Sequence, residues 1–185
     1  LPCELIERNG ATLKKTVIQT ARLWRLETAF LDWLENYNEF TNTLVDRIVT
    51  GYPKDEFATL SATLGYQDDL LVAGEIFHSW VVESRWNLAG ELPLTDAGLD
   101  VVWTSNMTPY RDRKVRILNG AHTMLALAAY LAGTNTVGEC MADVLLRGYV
   151  ERAIADEIIP TLALPKDDLL RFAAAVTERF ANPHI

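Results

Sequence analysis

Three polar side chains in the second half of the chain have the types and spacing of a proton-transfer site. Lys114, Asn119 and His122 lie in a stretch with helical periodicity. At about 100° per residue their side chains share one face, and Leu118 and Leu125 on that face suggest that it turns inward. A lysine can exchange a proton with a hydroxyl group, and an amide and an imidazole N–H can stabilise an oxyanion. The pattern indicates chemistry at a carbinol or carbonyl carbon.

The same spacing has a second, purely structural interpretation. A lysine normally titrates near 10.4, although burial and like charges can tune enzyme lysines toward about 7–8. An ordinary helix could equally carry a solvated lysine, an asparagine beside a glycine, and a buried histidine bonded to a backbone carbonyl. Helical spacing alone does not decide between these two interpretations.

Composition narrows the class of protein. The 185 residues have a formal net charge of −8 and are 49% hydrophobic, enough for a well-buried core. An acidic chain without a basic stripe argues against a nucleic-acid partner, and no apolar run has membrane-spanning length. Cys3 and Cys140 form no CxxC pair, and no spacing matches a metal motif, so we expect a cytoplasmic protein without metal.

Periodicity and turn residues predict a mainly α chain. Helices are predicted over 11–21, 26–37, 54–64, 109–131, 137–159 and 165–180. The third should stop at Gly65, the fourth near Gly133, and the fifth has a possible break near Asp143. Strands are predicted over 77–84 and 101–104, with a strand tail at 2–6, whereas 40–49 has no clean period. These features predict a multi-helical domain with a small β excursion.

Two ordered motifs carry a family resemblance. The pattern Lys-x4-Asn-x2-His of Lys114, Asn119 and His122 resembles the catalytic signature of the polyol-specific long-chain dehydrogenases, the mannitol dehydrogenase family. The segment 40–48, which contains Val-Asp-Arg-Ile, resembles the family's sequence signature. A third segment, 3–10, resembles the junction between the two domains of that family.

Two positions next to the second motif depart from the family pattern. Asn38 stands where an aliphatic residue or tyrosine is usual, and Thr50 stands where proline or serine is usual. The chain also has neither a GxGxxG nor a Walker loop, begins without methionine and stops soon after a predicted helix. We therefore expect a piece of a larger protein in which another segment cradles the pyrophosphate of a dinucleotide.

The resemblance implies a division of labour along the chain. Residues 1–9 would be the tail of a missing dinucleotide-binding domain, and 10–185 would be the helical, C-terminal substrate and catalytic domain of a long-chain dehydrogenase. NAD would be bound mainly by the missing domain, and a small sugar acid would react by hydride transfer without metal. The resemblance makes Lys114 the general acid and base, and Asn119 and His122 the oxyanion donors.

Asp46 and Asn9 are implied to lie near the cofactor or substrate. An ion pair with Arg47 or a helix cap is the structural alternative for Asp46. A further family arginine would fall beyond Ile185, and Arg179 is not assigned its role.

Segments 2–5, 43–53 and 117–123 resemble the branch of the family that reduces D-tagaturonate to D-altronate. Fructuronate and mannitol relatives usually have Ser-Cys-Asp-Asn at 2–5, and that asparagine amide helps form their oxyanion hole. Leu5 cannot donate a hydrogen bond, so the tagaturonate reaction is preferred over the fructuronate or mannitol alternatives. A non-catalytic helical binding or oligomerisation module is the alternative from another class. The sequence fixes neither the oligomeric state nor NAD over NADP.

Overall fold

The chain divides into two units whose segments alternate along the sequence. The computed structural model describes residues 1–183. The first unit comprises Leu1–Asp46 and His78–Arg111, and the second comprises Arg47–Phe77 and the residues from Asp112 onward. Within the described residues, no helix combines the length and apolar character needed to cross a membrane.

Helices make up most of the regular structure. The helices are α1 (Asn9–Leu23), α2 (Thr28–Asn36), α3 (Phe57–Leu64), α4 (Thr108–Arg113), α5 (Gly120–Ala132), α6 (Val137–Ala142), α7 (Val144–Arg152) and α8 (Lys166–Phe180). The strands are β1 (Asn42–Asp46), β2 (Val49–Gly51), β3 (Ala73–Gly74), β4 (Ser79–Glu83) and β5 (Val101–Thr104). The described residues also form a first π-helix (Lys114–Asn119), a second π-helix (Ala153–Ile158) and a 3₁₀ turn (Ile159–Thr161).

Several predicted boundaries are confirmed. Gly65 and Gly133 end α3 and α5 with φ angles of 80° and 78°, a left-handed conformation that glycine adopts without steric cost. Asp143 separates α6 from α7, as the predicted break requires. The predicted strand tail at 2–6 is wrong, because residues 2–3 have no regular structure and residues 4–6 form bends.

The first unit contains a mixed three-stranded sheet. Its order is β1-β4-β5, in which β1 pairs antiparallel with β4 and β4 pairs parallel with β5. Val81 and Val82 of the central strand are both buried, so the strand does not alternate between apolar and polar positions. The prediction of a mainly α domain with a small β excursion is therefore wrong for this unit. Its sheet joins segments far apart in the sequence, which local periodicity does not detect.

The second unit is built on a helical core. The buried side chains of the core are Ile117, Ala121, Leu125, Ala129, Cys140, Met141, Val150, Ile154, Ile159, Leu169, Phe172, Val176 and Phe180. The last four lie at helical spacing along α8 and define its buried face. The unit also contains the short antiparallel pair β2–β3, whose register shifts between Val49 and Gly51.

A capping box at the start of α6 fixes the turn after α5. The Thr136 hydroxyl accepts a hydrogen bond from Glu139 N at 3.2 Å, and Glu139 Oε2 accepts from Asn135 N at 3.0 Å and Thr136 N at 3.1 Å. The backbone N–H groups of Asn135 and then Thr136 lower the pKa of Glu139 below its ordinary 4.5. A lowered folded-state pKa stabilises the fold above pH 4.5, and this contribution is lost as the pH falls through the lowered value.

Removing this cap should destabilise the chain modestly. We expect Thr136→Ala to lower the free energy of unfolding by about 1 kcal/mol at pH 7, because the Glu139 N–H loses its acceptor. Urea denaturation followed by circular dichroism measures the change. Thr16→Ala is the matched control, since Thr16 is exposed inside α1 and should change stability by no more than about 0.5 kcal/mol. Equal losses in the two variants would contradict the capping role.

Candidate active site

The first π-helix positions two of the three predicted catalytic side chains. In a π-helix the hydrogen bond joins residues five apart, so Lys114 and Asn119 lie one wide turn apart on the same face. An α-helix would separate them by about 140° around the axis. The π-helical turn thus brings the amine and the amide closer around the axis than the sequence predicts. π-helical turns occur frequently at functional sites.

The face that carries these groups is open rather than buried. Lys114 is half-buried, whereas Asn119 and His122 are exposed. Of the two leucines expected on this face, Leu125 is buried and Leu118 is partly buried. The expectation of an inward-turned face is therefore wrong for Asn119 and His122. The buried side chains of this stretch are instead those of Ile117, in the π-helix, and Ala121, in α5. In this chain the amide and the imidazole are accessible to a ligand.

His122 is held by a ring contact. Its imidazole lies edge-to-face with the ring of Phe180, with centroids 6.0 Å apart and an interplanar angle of 71°. His122 also lines a cavity of about 280 Å³ at α5 and α6, together with Leu125, Ala129 and Cys140. Burial raises the pKa of the Cys140 thiol, which keeps it protonated and unreactive near neutral pH.

Asn9 is a structural clamp in the first unit. Its Nδ2 lies 3.2 Å from the carbonyl oxygen of Pro2 and 3.1 Å from those of Glu4 and Thr43. Its Oδ1 accepts hydrogen bonds from Thr43 N at 2.8 Å and Gly10 N at 2.9 Å. The buried amide therefore ties the start of the chain to β1. Its expected place near a cofactor or substrate stays a prediction.

Asp46 is buried at the end of β1, opposite Ser79 of β4. Both structural alternatives for Asp46, an ion pair with Arg47 and a helix cap, stay predictions. The Arg47 Nε donates a hydrogen bond to the carbonyl oxygen of Glu75 at 2.9 Å. The proposed proximity of Asp46 to cofactor and substrate stays a prediction.

Sequence reasoning missed a buried ion pair in the second unit. Arg179 donates from Nη2 to Glu75 Oε1 at 2.7 Å and from Nε to Glu75 Oε2 at 2.9 Å. Only 6% of the Arg179 side chain and 3% of the Glu75 side chain are exposed. The guanidinium carbon also lies 4.3 Å from the ring centroid of Phe77. The geometry is the bidentate fork of a strong arginine–carboxylate pair.

One half of this pair left a signal in the sequence. Arg179 follows Leu169, Phe172 and Val176 on the apolar face of α8, where a charge requires a partner. Glu75 left no comparable signal, because its partner is 104 residues away.

No metal-binding cluster accompanies these groups. Among residues 1–183, no three His, Cys, Asp or Glu side chains gather where they could hold an ion.

Two family models match the chain. The mannitol dehydrogenase Rossmann domain matches residues 1–96, and the mannitol dehydrogenase C-terminal domain matches residues 106–185. Both models describe parts of one class of dehydrogenase. The chain belongs to the mannitol dehydrogenase family, which confirms the resemblance in its motifs.

The Rossmann match also corrects the predicted fold class. Residues 1–96 are of the N-terminal α/β type, so the chain is not only a mainly α, C-terminal substrate domain. The mixed sheet of the first unit agrees with this correction. The division predicted at residue 9 stays a prediction.

Curated relatives match over the whole chain. It is 51% identical to the altronate oxidoreductase of Yersinia enterocolitica serotype O:8 / biotype 1B and 52% identical to that of Cronobacter sakazakii, in each case over 185 residues. The chain spans 38% of the length of each of these relatives.

Solved structures are similar in fold. A substrate-free D-sorbitol dehydrogenase is 29% identical with a TM-score of 0.83, and the match covers 98% of this chain and 37% of that one. A Pseudomonas fluorescens mannitol 2-dehydrogenase, in ternary complex with NAD and D-mannitol, is 30% identical with a TM-score of 0.68. That match covers 97% of this chain and 36% of the other.

Proposed function

We propose that this chain supplies the proton-transfer and oxyanion groups of an NAD-dependent reductase that converts D-tagaturonate to D-altronate. The observation that carries the proposal is the accessible face on which Lys114 and Asn119 lie one π-turn apart, followed by His122. About half the residues are identical to those of relatives named altronate oxidoreductase, along the whole chain, which supports the substrate.

The chemistry requires one proton and one stabilised oxygen. NADH, when bound, supplies the hydride that adds to the keto carbon. The electron pair of the C=O π bond moves to oxygen, and the Lys114 ammonium gives that oxygen a proton. In the reverse direction the neutral amine removes the hydroxyl proton. Lys114 thus acts as general acid in reduction and as general base in oxidation.

Asn119 and His122 stabilise the developing negative charge. The Asn119 amide N–H and a ring N–H of His122 donate to the keto oxygen while it gains electron density. The side chain of Leu5 has no hydrogen-bond donor, so we assign the oxyanion contacts to Asn119 and His122 alone. This difference from fructuronate and mannitol relatives supports the tagaturonate reaction over theirs.

Lys114, Asn119 and His122 fit the proton transfer and the oxyanion contacts that accompany hydride transfer. None of the three is assigned to the phosphates of NAD. No glycine-rich phosphate loop occurs in the sequence, so in this proposal NAD is held mainly by residues outside it. Asp46 and Asn9 are assigned to the neighbourhood of cofactor and substrate, and no metal takes part.

Substrate preference tests the assignment. A protein of the relatives' full length that contains this chain should reduce D-tagaturonate with NADH at a kcat/KM at least about tenfold above that for D-fructuronate or D-fructose, a margin about equal to one well-placed hydrogen bond. Initial rates of NADH oxidation measure it, and the 185-residue chain alone should turn nothing over. Preference for fructuronate or fructose would overturn the assignment.

A further inference from the structure

We propose that Glu75 and Arg179 are positioning residues for His122, and that they act through Phe180. This inference rests on the proposed role of His122 as an oxyanion donor. It concerns a buried ion pair that the proton transfer itself does not use. The steps from the ion pair to the imidazole all lie within the second unit.

Glu75 is itself held rigidly beside β2 and β3. It directly follows β3, and its Oε1 accepts a hydrogen bond from Ile48 N at 2.6 Å. Its backbone N–H donates to the Ile48 carbonyl at 3.0 Å, and its carbonyl accepts from Arg47 Nε at 2.9 Å. Both the backbone and the carboxylate of Glu75 are therefore fixed before Arg179 is considered.

Arg179 transfers that rigidity to the end of α8. It lies in the last turn of the helix, and the next residue, Phe180, is the final helical residue. The planar guanidinium makes two parallel bonds to Glu75, which restrict the angle as well as the distance. The Phe77 ring also contacts the guanidinium and restricts the movement of Arg179 toward the ring. The end of α8 is thus locked to the strand pair.

Phe180 completes the path to the imidazole. Its ring is buried, whereas His122 is exposed, and the two rings meet edge-to-face at 6.0 Å. An exposed side chain ordinarily exchanges rotamers within nanoseconds. Contact with a fixed aromatic ring restrains this exchange, and an oxyanion donor must be held within about 0.5 Å of its productive position.

The energetics favour a geometric role for the ion pair. Removing two charges from water is costly, and a buried pair is often no more stabilising than apolar residues of the same volume. Unlike an apolar contact, a bidentate pair fixes the relative orientation of its two side chains. In the second unit this pair fixes the orientation of the end of α8, where Phe180 contacts His122.

Two variants of the full-length protein test the proposal by separate routes. Glu75→Gln keeps the side-chain shape and removes the charge, and Phe180→Leu keeps the ion pair and removes the ring. Both should lower kcat for the keto-uronate at least about tenfold, toward the 100-fold that small misplacements can cost, with KM within about twofold. Both should shift the His122 ring signals in NMR spectra of histidine-labelled protein, assigned by their loss in His122→Ala.

Glu151→Gln is the matched control. It removes an exposed ion pair of α7, in which Arg147 Nε lies 2.8 Å from Glu151 Oε1, and should leave kcat and the His122 signals unchanged.

A double-mutant cycle separates the proposed role of His122 as an oxyanion donor from its proposed positioning by Glu75 and Arg179. In the His122→Ala background, Glu75→Gln should lower kcat by no more than about twofold, because the group it positions is gone.

Each outcome has a distinct meaning. Wild-type kcat in His122→Ala would defeat the proposed role of His122. A large loss in His122→Ala, with unchanged kcat and unchanged His122 signals in Phe180→Leu, would defeat the positioning role alone. Additive losses in the double mutant would also defeat it, since Glu75 would then act by another route.

Discussion

Replacing Lys114 with alanine in a protein of the relatives' full length should lower kcat for the reduction by about 10²–10⁴-fold. The proposed mechanism leaves the new alkoxide without its proton donor when the amine is removed, so the barrier rises at the chemical step. Steady-state NADH oxidation measures kcat and KM. KM should change much less than kcat, because the proton moves as the transition state forms.

Two further lysine variants separate proton transfer from simple loss of charge. Lys114→Arg keeps a cation at the position but remains protonated at any accessible pH, so it should also lose most turnover. Lys166→Ala removes an exposed lysine at the start of α8 and should leave turnover unchanged. If Lys114→Ala kept turnover within a few-fold of the parent, the non-catalytic helical module would become the better interpretation.

A methyl group at Gly10 should destabilise the fold severely. Gly10 is the second residue of α1, and a Cβ there would lie 2.7 Å from the Phe40 carbonyl oxygen and still closer to the carbonyl of Thr41. Both obstacles are backbone atoms, so no side-chain rotation relieves the clash. We expect Gly10→Ala to lower the free energy of unfolding by about 3 kcal/mol or more, the upper end of the usual cost of overpacking a core.

The close approach at Gly10 also serves Asn9. The clamp of Asn9 on Thr43 requires α1 to start directly against β1, and a methyl group at Gly10 would push the two apart. Urea denaturation measures the loss. Gly148→Ala is the matched control inside α7, because a Cβ there meets no described atom outside its own helix within 4 Å. This change should raise the free energy of unfolding by up to about 1 kcal/mol, since alanine has the higher helix propensity. A Gly10→Ala protein as stable as its parent would refute the steric argument.

Local sequence signals determined much of the helical framework and pointed to the candidate site. Helix ends depend on a few neighbouring residues, so the glycines at 65 and 133 and the break at Asp143 were predictable. Lys114, Asn119 and His122 were also identified from sequence, because their spacing matches a family motif. The roles of these three side chains are proposals, and the variants above test those of Lys114 and His122.

The tertiary structure decided how those groups are arranged and held. The π-helical turn does not have the rotation of about 100° per residue of an α-helix. The angle between Lys114 and Asn119 around the helix axis therefore depends on the backbone conformation as well as on their spacing in the sequence. The sheet order β1-β4-β5 and the Glu75–Arg179 pair join residues far apart in the chain. Periodicity reports only which face of an element is apolar. Which distant segment covers that face, or which charge it encloses, depends on packing over the whole unit.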